Sequence, residues 1–186
     1  MTTANHATNT VNLPDQVKTF LQDVNQIAPP DALYVIEMGR NDLRDALAAY
    51  FTVYPKTGSQ SQAASAANLI LTGALNGIAL GIQTLHHFEA NKFLVWNAPR
   101  IDLVPAVQNL GPGAVAVALS LVAGFNQGLA QIVSSSAALG IQIAQMERTR
   151  SRAIAIVRRW PSRRRRTNAH DRAYRTRVRT PDVFHP

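Results

Sequence analysis

Residues 32–42 read Ala-Leu-Tyr-Val-Ile-Glu-Met-Gly-Arg-Asn-Asp, and this stretch decides the fold. Its first half is a short, almost continuously apolar run, the pattern of a strand buried on both faces. Gly39 then lets the chain turn sharply off the strand, and Leu43 to Phe51 carries the spacing of a helix. Upstream, Leu13-Pro14-Asp15 opens a helix whose apolar residues are Val17, Phe20, Leu21 and Val24, and Ala28-Pro29-Pro30 is expected to stop it. Downstream, Pro55 to Gln62 reads as a turn-rich linker. A long helix follows, with Leu71, Leu75, Ile78, Ile82 and Leu85 on one stripe. Gly73, Gly77 and Gly81 recur along that helix and suit a close helix–helix contact or tight packing on a sheet, the second being the stronger reading without a membrane setting. Phe93-Leu-Val-Trp96 is a second strand. A further helix follows Gly111-Pro112-Gly113 and is capped by Gly140, and Ile141-Gln-Ile-Ala144 is a third strand. The order α-β-α-α-β-α-β implies parallel strands joined by right-handed crossovers, hence a three-layer α/β domain.

The 186 residues carry a formal charge of +8, but that charge is not spread evenly. Residues 1–145 have a net charge of −2. Residues 146–186 hold thirteen Arg and no Lys, for a net +10. The chain therefore divides into a folded part, residues 11–145, and an Arg-rich tail, residues 146–186, whose block Arg163 to Arg166 predicts a solvated, disordered segment. The absence of cysteine excludes disulfides, thiolate metal sites and a cysteine nucleophile. The polar start, Met1 to Asn12, has no signal-peptide pattern, and Gly113 to Phe125, the most apolar run, is shorter than the ~20 residues of a membrane span.

In open parallel sheets, ligands bind beyond the carboxyl ends of the strands. Two such ends are polar here, Gly39-Arg40-Asn41-Asp42 and Asn97-Ala98-Pro99-Arg100. A neutral Asn41 amide fixed there could donate to a developing oxyanion. On spacing alone, a helix cap by Asn41 is the stronger reading. His86 and His87 are adjacent on a helix and diverge by about 100°, so they predict packed or solvated rings rather than metal ligands. Asp42 and Asp45 suit a helix start without any catalytic pairing, and Phe93 and Trp96 read as core.

Leu33 to Asp42 resembles the third motif block of the GDSL (SGNH) esterases and lipases, Gly-x-Asn-Asp at a strand end. The likeness extends over residues 11–145. It includes Leu13-Pro-Asp-Gln-Val before the strand, and Lys92-Phe-Leu-Val-Trp-Asn-Ala-Pro99 with Pro105-Ala106 after it. The resemblance implies a flavodoxin-like parallel sheet, with Gly39 and Asp42 shaping the turn and Asn41 as the oxyanion donor. Asp182-Val-Phe-His185 has the spacing of the fourth block, which would make His185 the general base and Asp182 the group that orients it. No Gly-Asp-Ser occurs and no Gly precedes Gly39, so the resemblance implies a copy that starts after the family's first strand and lacks its nucleophile. The abrupt Arg-rich composition after Gln145 is what a GC-rich gene read out of frame gives, which would make Asp182 and His185 accidental. A frame restored before Thr180 would make them genuine.

Two function classes follow. The first is carboxylic-ester hydrolysis of the GDSL type, in an inactive or impaired copy, on a small-molecule or lipid ester and with no metal or organic cofactor. The second is binding of a polyanion, nucleic acid or an anionic membrane, through the Arg-rich tail. The tail interleaves only Trp160, Tyr174 and Phe184 and carries no nucleic-acid-binding motif, which weighs against the second class. A sheet lacking a central strand is also expected to self-associate through its unburied surface.

Overall fold

The computed structural model describes residues 12–147, which form a mostly helical domain around a three-stranded parallel sheet. The elements run α1 (Leu13–Asp23), β1 (Leu33–Ile36), α2 (Arg40–Thr57), α3 (Gln60–His87), β2 (Lys92–Trp96), a 3-10 turn (Ile101–Leu103), α4 (Pro105–Gln108), α5 (Pro112–Ala138) and β3 (Gln142–Met146). The sheet order is β1-β2-β3, with Tyr34 beside Phe93 and Phe93 beside Ile143. The expected order of major elements is present. The short 3-10 turn and α4 are additions.

Side chains alternate across each strand, so Tyr34, Ile36, Phe93, Val95 and Ile143 share one face. That face joins Val17 and Leu21 of α1, Leu43 of α2, Ile82 of α3 and Leu129 of α5 in one core. Phe20, Tyr34 and Phe93 continue the contact as an aromatic ladder, with centroid separations of 5.8 and 5.5 Å, which seats α1 on the sheet. The described residues thus supply two layers, with the helices on one face.

β1 departs from its sequence reading. The run predicted a strand buried on both faces, yet Leu33 and Val35 are 45% and 55% exposed. They alternate to the face away from the helical core, and β1 pairs with β2 alone among the described residues. An apolar run reports what a strand is able to bury. It does not report whether a neighbour is there.

Several element ends also differ. α1 stops at Asp23, before the prolines, because Asn25 and Gln26 take left-handed backbone angles and Gln26 N–H donates to Leu21 C=O at 2.8 Å. Pro55 does not open a linker. It lies in the last turn of α2, which ends where Gly58, at φ 65°, returns its N–H to Tyr54 C=O. Ser59 then caps α3 by accepting from Gln62 N–H. Gly140, at φ 86°, closes α5 as expected. Of the three spaced glycines, only Gly81 makes a close approach, to Leu13 of α1 rather than to the sheet.

At 28 and 27 residues, α3 and α5 are each long and apolar enough to cross a membrane by length and composition, which the short run Gly113 to Phe125 did not suggest. Here each lays a buried stripe on the core, Leu71, Ile78, Ile82 and Leu85 in α3 and Leu121, Val122, Phe125 and Leu129 in α5, and α3 carries exposed Asn68, Asn76 and Gln83 elsewhere on its surface.

The exposed outer face of β1 makes a direct prediction. Leu33→Lys with Val35→Lys is expected to reduce self-association, read by light scattering on a size-exclusion column. An unchanged molecular mass distribution, in a chain that associates, would exclude this face as the contact.

Candidate functional site

The carboxyl ends of β1 and β2 are held together by α5. Gly39 stands at φ 104° between β1 and α2, and a Cβ there would lie 2.6 Å from the Phe125 ring. Glycine is thus required twice, for the left-handed turn and for the ring that fills its side-chain space. Phe125 is fully buried. The next residue, Asn126, accepts from Ala98 N–H through Oδ1 at 2.8 Å. Gln145 of β3 donates through Nε2 to Asn97 Oδ1 and, at 3.1 Å, to Asn126 C=O. One turn of α5 therefore fixes the exits of β1 and β2 and the end of β3. The polar pair Asn126-Gln127 inside an apolar helix was the sequence signal for this joint, though its partners were not readable.

Gly39 itself is the N-cap of α2, and no side chain caps that end. Asn41 lies one residue inside the helix, exposed, with no hydrogen bond to another described residue. The cap reading of Asn41 is therefore overturned. Asp42 follows in the first turn, half-buried, where a carboxylate suits the helix dipole. Asp45 is not paired with Asp42 but forms an exposed ion pair with Arg44 at 2.9 Å. Gly39, Asn41 and Asp42 are thus brought to one strand end. Asp182 and His185 lie outside the described residues.

The exit of β2 is set by a second device. Arg100 donates from Nε and Nη2 to the two carboxylate oxygens of Asp102, at 2.7 and 2.6 Å. Asp102 is 2% exposed while Arg100 reaches solvent. The Arg100 hydrogen bonds hold the Asp102 carboxyl below its ordinary range, against the opposing effect of burial. His86 Nδ1 meets the Ala90 carbonyl at 2.9 Å, and His87 packs edge-on against Phe88. Both rings are accounted for by local packing. Among the described residues no group of three or more His, Asp or Glu could hold a metal.

Beside this joint lies a groove of about 710 Å³ between α2, α3 and α5, which sequence reasoning missed. It touches the joint through Phe125, which lines it and also packs on Gly39. No family model matches the chain, and no curated protein matches it.

Two variants test the joint. Gly39→Ala is expected to cost about 1–3 kcal/mol in urea unfolding, from the left-handed backbone and the clash with Phe125. A loss near zero would show that the ring moves away freely. Because the folded Asp102 carboxyl titrates below its unfolded value, its stabilisation is complete above the ordinary carboxylate range and fades as pH falls through the folded value. Asp102→Asn is therefore expected to lower stability at neutral pH and flatten the acid limb of the stability profile. An acid limb parallel to that of the wild type would remove Asp102 from the account.

Proposed function

We propose that the chain is part of a carboxylic-ester hydrolase of the GDSL type, in which Asn41 donates to the oxyanion of the tetrahedral intermediate. The observation that carries this reading is the free Asn41 amide two residues after Gly39, at the carboxyl end of a parallel strand. A helix cap would have explained the residue without function, and Gly39 holds the cap position instead. A neutral donor at that place fits an ester whose carbonyl sits beyond the strand ends.

The sheet supports the same reading. In a flavodoxin-like sheet of order 2-1-3-4-5, the third, fourth and fifth strands are neighbours, and the first pairs with the outer edge of the third. The order β1-β2-β3 with an open β1 edge fits those three strands, and a three-layer fold would place further helices on the Leu33 and Val35 face. A serine in a Gly-Asp-Ser turn, at the end of a strand on that edge, would then stand beside Asn41. In this arrangement the serine attacks the ester carbonyl, the proton passes to a histidine in the role read for His185, and the alkoxide oxygen takes the Asn41 hydrogen bond. Asp182 would orient that histidine. No metal or organic cofactor takes part in this scheme. The alternative, polyanion binding by the Arg-rich tail, falls on residues that from Arg148 onward lie outside the described ones.

The coding DNA and kinetics test the proposal together. The DNA upstream and across residues 145–180 is expected to supply a Gly-Asp-Ser strand and to settle the frame of Asp182 and His185. The 186-residue chain should hydrolyse p-nitrophenyl butyrate no faster than buffer. In a chain carrying the serine strand, Asn41→Ala is expected to lower kcat by about 10²–10³-fold with KM little changed. An unchanged kcat would refute the donor role.

A further inference from the structure

α3 and α5 run side by side over the sheet, and they separate toward their N-terminal ends. Their close approach is at Gly128, where a Cβ would collide with the Leu75 side chain. N-terminal to that contact, Gly124 has nothing within 4 Å of its Cβ position and borders the groove. The groove's α5 lining lies between Ala116 and Phe125, all on the N-terminal side of Asn126, which is bonded at the exit of β2. The groove is therefore beyond the carboxyl ends of the strands, on the side where such folds bind ligands. Its volume of about 710 Å³ is that of a small-molecule site.

The lining has a consistent chemistry. Leu71, Leu121 and Phe125 form a buried apolar floor, with Leu75 and Val117 beside them. Tyr50, Gln60, Asn68, Thr72 and Ser120 supply neutral hydroxyl and amide groups, mostly exposed, and none of these side chains bonds to another described residue. Among the described residues, no Asp, Glu, Lys, Arg or His lines the groove. A ligand with an apolar chain and several hydroxyls fills both halves. A charged head would find no counter-charge among the described residues and would leave the neutral groups unused.

We propose that the groove between α2, α3 and α5 binds an uncharged, single-chain amphiphile with a hydroxyl-bearing head, of the monoacylglycerol class, its chain along Leu75 and Val117 over the buried Leu71 and Leu121. This rests on the ester-hydrolase reading only in naming such a molecule as the ester; binding itself needs no serine. Phe125 lines the groove and also packs on Gly39, so the groove adjoins the strand end that carries Asn41.

Calorimetric titration of the full chain with monomeric 1-decanoylglycerol tests the site. The expected result is saturable one-to-one binding, at least about ten-fold tighter than that of decanoylcholine or decanoate, the equivalent of one or two hydrogen bonds. Gly124→Trp, placed where the Cβ has open space, is expected to leave the circular dichroism spectrum unchanged and weaken binding at least ten-fold. Gly73→Trp, on α3 outside the lining and equally unobstructed, should bind as the wild type does. No binding by the wild-type chain, equal affinity for the three heads, or undiminished binding by a folded Gly124→Trp variant would each overturn the proposal. Selective binding by a chain that shows no turnover even with a serine strand supplied would uphold the groove and defeat the ester-hydrolase reading alone.

Discussion

The contact between the Phe125 ring and the bare Cα of Gly39 is the constraint on which the rest of the site depends. Without a side chain at residue 39, α5 settles close over the end of β1, and the ring is completely removed from water. Burying an aromatic side chain of this size stabilises by roughly 2–3 kcal/mol, so the gain exceeds the ~1 kcal/mol of backbone freedom lost by using glycine. The same contact fixes the start of α2, and with it the position of Asn41. Packing energy is thereby converted into placement of a polar group.

Around that contact, hydrogen bonds supply direction. Apolar packing is tolerant of sliding, whereas Asn126 bonded to Ala98 N–H and Gln145 bonded to Asn97 and Asn126 admit one register. The Arg100–Asp102 pair acts similarly on the next few residues. Its carboxylate is buried and its guanidinium reaches water, so the full cost of desolvating both charges is avoided while the two-pronged geometry is kept. The strand exits are thus held by neutral amides on one side and a half-exposed ion pair on the other.

The major elements were legible because their signals are local. The runs at Leu33, Phe93 and Ile141 gave strands, and the four-three spacing through Leu71 and Ile82 gave α3. Element ends were less legible, since they are decided by backbone bonds such as Gln26 to Leu21 or Gly58 to Tyr54, which compete with the more conspicuous prolines. What touches what was not legible at all. Gly73, Gly77 and Gly81 repeat, yet only Gly81 lies under a neighbour, while Gly39 and Gly128, outside that repeat, take the tightest contacts. Asn41 shows the same limit: its residue type fits a cap and a donor equally, and only the position of Gly39 separates the two.

The groove follows from a mismatch of length between helices and strands. Helices of 28 and 27 residues extend about 40 Å, whereas strands of five residues extend about 17 Å. Two such helices cannot both lie wholly on so short a sheet, so their N-terminal halves must project beyond the strand ends. There they have only α2 and each other to bury against. Leu75 and Gly128 bring them together at the sheet boundary, and beyond it nothing compels contact. The apolar content that makes both helices long enough and greasy enough for a membrane is spent partly on the sheet and partly on this overhang. A concavity with an apolar floor is therefore the expected product of pairing long helices with short strands, and its place beside Gly39 follows from Phe125 serving both.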